Sequence, residues 1–257
     1  RTDPELWLGF CAREWRFGCL TSLAMYLSIN IMPEAPLADV VEVAVVAERL
    51  GYTRCWVYDE GLAARDVYVT LAAIGQATER LMIGTGITNP FTRHPAMTAT
   101  AIATLDELTG GRAFVGLGAG GSLTLDPLGV DRSRSLTAVR ETIMALKGLF
   151  SGRATDLSGS TVTLRGATLG YARPDIEIWL AGRGPKMLEL GGQLADGVML
   201  EFIHRELLEE QFARVRAAGK ARLSYSTMVI TDEAAMAMTR PHMTYRLIDS
   251  PPAVQER

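Results

Sequence analysis

Cysteine, histidine and long apolar runs are all scarce in this chain. Of 257 residues, three are Cys and three are His. Cys11, Cys19 and Cys55 form no CxxC pair, and an odd count does not build a disulfide framework. His94, His204 and His242 lie far from one another and from the cysteines, so no zinc-ligand spacing is present and no metal site is expected. The longest apolar run, Leu20 to Met32, is broken by Thr21, Ser22, Ser28 and Asn30. It falls short of the roughly 20 apolar residues that a membrane span needs. The stretch from Arg13 to Met25 has no distinct small-residue cleavage site, which leaves the cytoplasm as the expected compartment. Runs of Lys and Arg are missing as well. With 26 basic and 29 acidic residues the formal charge is −3, which gives no electrostatic footprint for nucleic acid. An apolar fraction of 48% at so small a net charge excludes intrinsic disorder.

What is present is a rhythm that starts at Tyr26. Short apolar runs read as strands at 27–31, 55–58, 81–87, 113–117, 177–180, 198–200 and 222–230. Helical spacing fills the intervals at 37–50, 67–78, 95–109, 136–150, 185–195, 204–217 and 232–243. Gly51 and Gly110-Gly111 mark helix stops, and Pro95 marks a helix start. Alternating strands and helices argue for a parallel α/β sheet, and repeated βα units favour a TIM (β/α)8-type barrel over a doubly wound sheet. After the seventh helix only Leu247 to Arg257 remain, so the barrel is expected to lack its eighth βα unit. Residues 1–25 read as a leader or extension, and 26–257 as the barrel domain.

Barrels of this kind carry their site at the C-terminal ends of the strands. The second strand ends in Asp59 and Glu60, and the third in Thr88, Asn89, Arg93 and His94. The fourth runs into Gly118, Ala119, Gly120 and Gly121, the fifth into Gly182, Arg183, Gly184, Pro185 and Lys186, and the sixth into Glu201. Each has a plain alternative. Asp59-Glu60 could be a helix cap and a solvated loop. His94, held extended before Pro95, could simply cap the next helix. The glycine run 116–121 is expected to lack a helix directly after it, so a dinucleotide fingerprint is rejected. Gly182 to Lys186 joins a helix start to two basic side chains and could hold a phosphate, or could be an ordinary loop.

Three stretches taken together resemble the bacterial luciferase-like superfamily. They are Ile83-Gly-Thr-Gly-Ile-Thr-Asn-Pro-Phe-Thr-Arg-His-Pro95, then Ala103 to Gly120 (ATLDELTGGRAFVGLGAG), and Gly184 to Gly197 (GPKMLELGGQLADG). The branch they resemble is that of the deazaflavin-dependent methylene-tetrahydromethanopterin reductases, and Asp59-Glu60 with Arg65-Asp66-Val67-Tyr68 fits it too. The resemblance implies a TIM-type barrel that binds coenzyme F-420, or FMN in other branches. It implies a non-proline cis peptide at Gly86–Ile87, with Thr88 and Asn89 touching the ring. It also implies a cofactor loop at Gly118, Ala119 and Gly120, and a phosphate-side loop at Gly182, Arg183, Gly184, Pro185 and Lys186. The implied reaction is hydride transfer between reduced F-420 and a small organic substrate in a homodimeric enzyme, with Asn89 at the reacting centre and Glu60, Asp59 and His94 as the groups that could manage a proton. Sugar-phosphate dehydrogenases of the wider family carry His where Glu60 stands, so glucose-6-phosphate activity is not expected. An FMN-dependent monooxygenase and a truncated, non-catalytic flavin-binding relative are the alternatives, and the cofactor bound would separate them.

Overall fold

The computed structural model describes residues 26–201, 205–229, 233, 236 and 237. The extension expected over residues 1–25, and nearly all of the helix expected over 232–243, lie outside them. The chain divides into two compact units, residues 1–180 and 181–257.

The first unit alternates strands and helices: β1 (Ser28–Ile31), α1 (Leu37–Arg49), β2 (Arg54–Val57), α2 (Val67–Ala77), β3 (Met82–Thr85), α3 (Pro95–Leu108) and β4 (Ala113–Leu117). A one-turn helix α4 (Ser122–Leu125) and the long helix α5 (Ser135–Phe150) follow. An antiparallel hairpin of β5 (Thr155–Ser158) and β6 (Thr163–Ala167) then precedes β7 (Glu177–Ala181). β1, β2, β3, β4 and β7 lie side by side in that order, all parallel.

Register explains which residues fill this sheet. Trp56 pairs with Gly84, Gly84 with Phe114, and Gly116 with Trp179, so these side chains share one face. There the Trp56 ring meets Phe114 edge-on at 4.4 Å and Trp179 at 5.4 Å. The Arg54 guanidinium lies 4.5 Å from the Phe114 ring centre and forms a 2.8 Å ion pair with Glu177. Trp179 Nε1 donates to the same carboxylate at 2.7 Å. Three large rings fit because glycine stands opposite them. A Cβ on Gly84 would overlap the Phe114 ring and carbonyl, one on Gly86 the Trp56 Cβ, and one on Gly116 the Thr85 carbonyl. The opposite face, with Cys55, Val57, Ile83, Val115, Leu117 and Ile178, is buried, as a helix-covered parallel sheet requires. Burial pushes the Cys55 thiol up to about 12.

Polar groups tie down the ends of the elements. Asp66 caps α2 by accepting from the Tyr68 and Val69 N–H groups. Glu48 accepts the N–H groups of Glu79, Arg80 and Leu81 and fixes the entry to β3. Glu141 on α5 accepts from Ser160, Thr161 and Val162 and so fastens the hairpin turn.

The second unit contains α6 (Pro185–Leu194), β8 (Gly197–Glu201), α7 (Leu208–Ala218) and β9 (Arg222–Ser226), with β8 and β9 parallel. Leu188, Val198, Leu200 and Val215 form its core, with Leu208, Phe212 and Leu223 packed against them.

Four expectations are corrected. The third strand ends at Thr85, not Ile87, and the last described strand ends at Ser226, not Ile230. A helix does follow the glycine run at once, since Gly121 is the N-cap of α4. Residues 151–176, to which the apolar rhythm assigns no element, hold the β5–β6 hairpin.

Candidate active site

The Gly86–Ile87 peptide bond is cis, at the position that the resemblance implies. Pairing resumes just after it. The Thr88 N–H donates to the Gly116 carbonyl and the Gly118 N–H to the Thr88 carbonyl, both at 2.9 Å. This brings Thr88 and Asn89 alongside Leu117 and Gly118. Both polar residues are buried. Gly120 adopts a φ of +74°, where a side chain is strained, and a Cβ there would press on Leu125 and stand 3.2 Å from the Asn89 Cβ.

Two carboxylates are held at this end of the sheet by threonine hydroxyls. Thr88 Oγ1 donates to Asp59 Oδ2 at 2.6 Å, and Thr124 Oγ1 donates to Glu60 Oε2 at 2.6 Å. Burial pushes the Asp59 carboxyl above its usual range, and the nearby Asp66 charge adds to that. The Thr88 hydrogen bond and the Arg93 charge oppose it without winning. Asn89 Oδ1 accepts the Phe91 and Thr92 N–H groups, both at 2.9 Å. Only an oxygen can accept both, so the amide nitrogen is fixed on the side away from that turn. Behind Thr88 lies Tyr68, whose hydroxyl is buried beside the Thr88 and Thr98 side chains. Burial raises its pKa. The Arg93 guanidinium sits 4.4 Å over the Tyr68 ring, with its Nε buried and unpaired.

His94 stands apart from this group. It is exposed and caps α3, its Nδ1 accepting the Ala96 N–H at 3.2 Å, with Pro95 in the first helical position. Gly182 to Lys186 belong to the second unit, where Gly184 is the N-cap of α6 with no side-chain cap, and Lys186 is exposed. A Cβ on Gly182 would press against the Met187 side chain, whereas one on Gly184 or on Gly121 would meet nothing within 4 Å. Ala119 is half-buried between its glycine neighbours. Thr124 and Tyr68 escape a strand-end reading, whereas Arg93 does follow the third strand. Thr124 reaches Glu60 across 64 residues of chain. Tyr68 lies in the first turn after a helix cap, a position that the Asp66 signal does mark.

Comparison with known proteins adds what geometry alone leaves open. The family model described as luciferase-like monooxygenase matches residues 20–254. The 5,10-methylenetetrahydromethanopterin reductase of Methanolobus tindarius is 33% identical over 244 residues, covering 91% of this chain and 74% of that protein. An F-420-dependent glucose-6-phosphate dehydrogenase of Beutenbergia cavernae is 32% identical over 198 residues, 72% of this chain and 59% of that one. Among solved structures, the coenzyme F-420-dependent tetrahydromethanopterin reductase of Methanopyrus kandleri superposes with a TM-score of 0.81 at 25% identity, over 90% of this chain and 74% of that one. The fold class is therefore the TIM-type α/β fold that the βα rhythm implies.

Proposed function

Because the chain belongs to the luciferase-like monooxygenase family, we propose that it is a coenzyme F-420-dependent oxidoreductase acting on a small organic molecule. The observation that carries this reading is the pair of threonine-held carboxylates, Asp59 and Glu60, at the strand ends beside Thr88. When bound, the deazaflavin ring supplies the hydride chemistry, and the protein supplies position and electrostatics.

The residues present fit such a group. Arg93 Nε is a buried polar group with no hydrogen-bond partner among the described residues. Thr88 and Asn89 would bear on the ring. Arg183, Lys186 and the start of α6 would hold a phosphate. Asp59, raised by burial, keeps its proton closer to neutral pH than an exposed carboxyl and is suited to passing it to or from the substrate. Glu60, fixed by Thr124, is the second such group.

The test is a fluorescence titration with F-420 and, separately, with FMN. Saturable F-420 binding supports the proposal, and binding of FMN alone moves the protein to the monooxygenase branch. Binding of neither refutes a flavin role. Asp59→Asn and Glu60→Gln are each expected to lower kcat by about 10²–10⁴-fold with F-420 affinity nearly unchanged. Equal losses in kcat and affinity would remove the proton-handling role. The proposed assembly is a homodimer, which a light-scattering mass of one chain would refute.

A further inference from the structure

A cavity of about 420 Å³ opens between the segment after β3, the start of α5 and the β5–β6 turn, large enough for part of a small ligand. Its walls come from three places: Phe91, Arg93 and His94 after β3, Arg134 ahead of α5, and Thr161-Val162 in the turn of the β5–β6 hairpin. Its cationic side chains, Arg93 and Arg134, outnumber its one carboxylate, Asp131. The Arg134 charge acts on Asp131 in the same wall, and Arg93 Nε is buried without a partner among the described residues. His94 uses Nδ1 as an acceptor from Ala96, which leaves Nε2 as the donor nitrogen. The carboxylate in the wall, Asp131, is already engaged by the N–H and the hydroxyl of Ser133, both at 2.8 Å.

The hairpin wall is built to stay in place. Glu141 accepts five hydrogen bonds from Ser160, Thr161 and Val162, two of them from side-chain hydroxyls. A Cβ on Gly159 would overlap that carboxylate, so the turn closes on it only with glycine there. A rigid wall beside two guanidinium groups, one with a buried Nε that lacks a partner among the described residues, is a preorganised anion receptor. Arg93 also touches the strand-end site, since its guanidinium covers Tyr68 and its charge reaches Asp59.

We propose that this cavity recognises a carboxylate or phosphate group of the molecule bound at the strand ends, gripped by Arg93, Arg134 and the His94 Nε2–H. The placement of the rest of that molecule rests on the oxidoreductase reading, whereas the anion pocket does not. Two sources share this chemistry, the acidic tail of the cofactor and an acidic group on the substrate.

Calorimetric titration of the purified chain with inorganic phosphate and with glutarate, at low ionic strength, tests the pocket without any cofactor. Saturable binding is expected in the millimolar range or tighter, weakened about tenfold in Arg134→Gln. The melting temperature of the ligand-free variant checks that this exposed side chain does not carry the fold. The same variant is then titrated with F-420 and with the deazaflavin lacking its tail. Loss of affinity for F-420 alone assigns the pocket to the cofactor tail. Unchanged F-420 affinity with lost phosphate or glutarate binding assigns it to the substrate. If neither anion binds the parent protein, or both bind parent and variant equally, the proposal is overturned. Failure of F-420 to bind would sink the oxidoreductase reading and leave the phosphate result standing.

Discussion

At the scale of single residues, most of the strand-end set is legible because a rule of position selects it. Asp59, Glu60, Thr88 and Asn89 all follow apolar runs, and the structure finds them at one end of a parallel sheet. What a linear reading misses is the hydroxyl that holds each carboxylate, because Thr88 and Thr124 reach theirs only through the fold. His94 shows the reverse. Both of its readings begin at the same Pro95, and the structure gives it a capping bond and an exposed ring at the mouth of a basic cavity. Glycines sort in the same way. Gly84 and Gly184 look alike in sequence, yet a Cβ on the first would overlap Phe114 and one on the second would meet nothing. Gly84→Ala is therefore expected to cost about 1–3 kcal/mol through overpacking, which lowers the melting temperature by about 2–4 °C per kcal/mol in a domain of this size. Gly184→Ala should melt with the parent. Equal melting of all three proteins would mean that the Phe114 ring gives way freely.

At the scale of elements, helices were easier to read than strands. Pro95, the glycine pair 110–111 and Gly51 mark boundaries that hold to within a residue or two. The hairpin over 155–167 was not legible, because its two strands are short and largely exposed and carry none of the apolar runs on which the βα rhythm rests. Its stability depends on Glu141. Burial alone would raise this carboxyl, but the hydrogen bonds from Thr161, Ser160 and Val162 outweigh that and hold it at about 2. A carboxyl lowered in the folded state stabilises above its unfolded pKa, and that contribution is lost as pH falls through the folded value. Glu141→Gln should thus destabilise the protein by about 1–3 kcal/mol near neutral pH. The gap between variant and parent should close as pH falls from the ordinary carboxylate range, about 4.5, toward 2. Urea melts at several pH values measure this, and a gap that stays constant with pH would show that the carboxylate charge is not what fastens the turn.

At the scale of the whole molecule, the fold class was readable because strands and helices alternate so regularly, and alternation survives errors in any one boundary. The filling of the sheet was not. That Trp56, Phe114 and Trp179 need Gly84, Gly86 and Gly116 opposite them depends on cross-strand register, which no single segment carries. The same burial gives the molecule a built-in clock. The Cys55 thiol is sealed in β2 and pushed up to about 12, so at neutral pH it offers an alkylating reagent neither access nor thiolate. Its alkylation, resolved by peptide mass from that of Cys11 and Cys19, would tick only when β2 parts from its neighbours, and a ligand that tightens the sheet would slow the ticking by the factor through which it suppresses that opening.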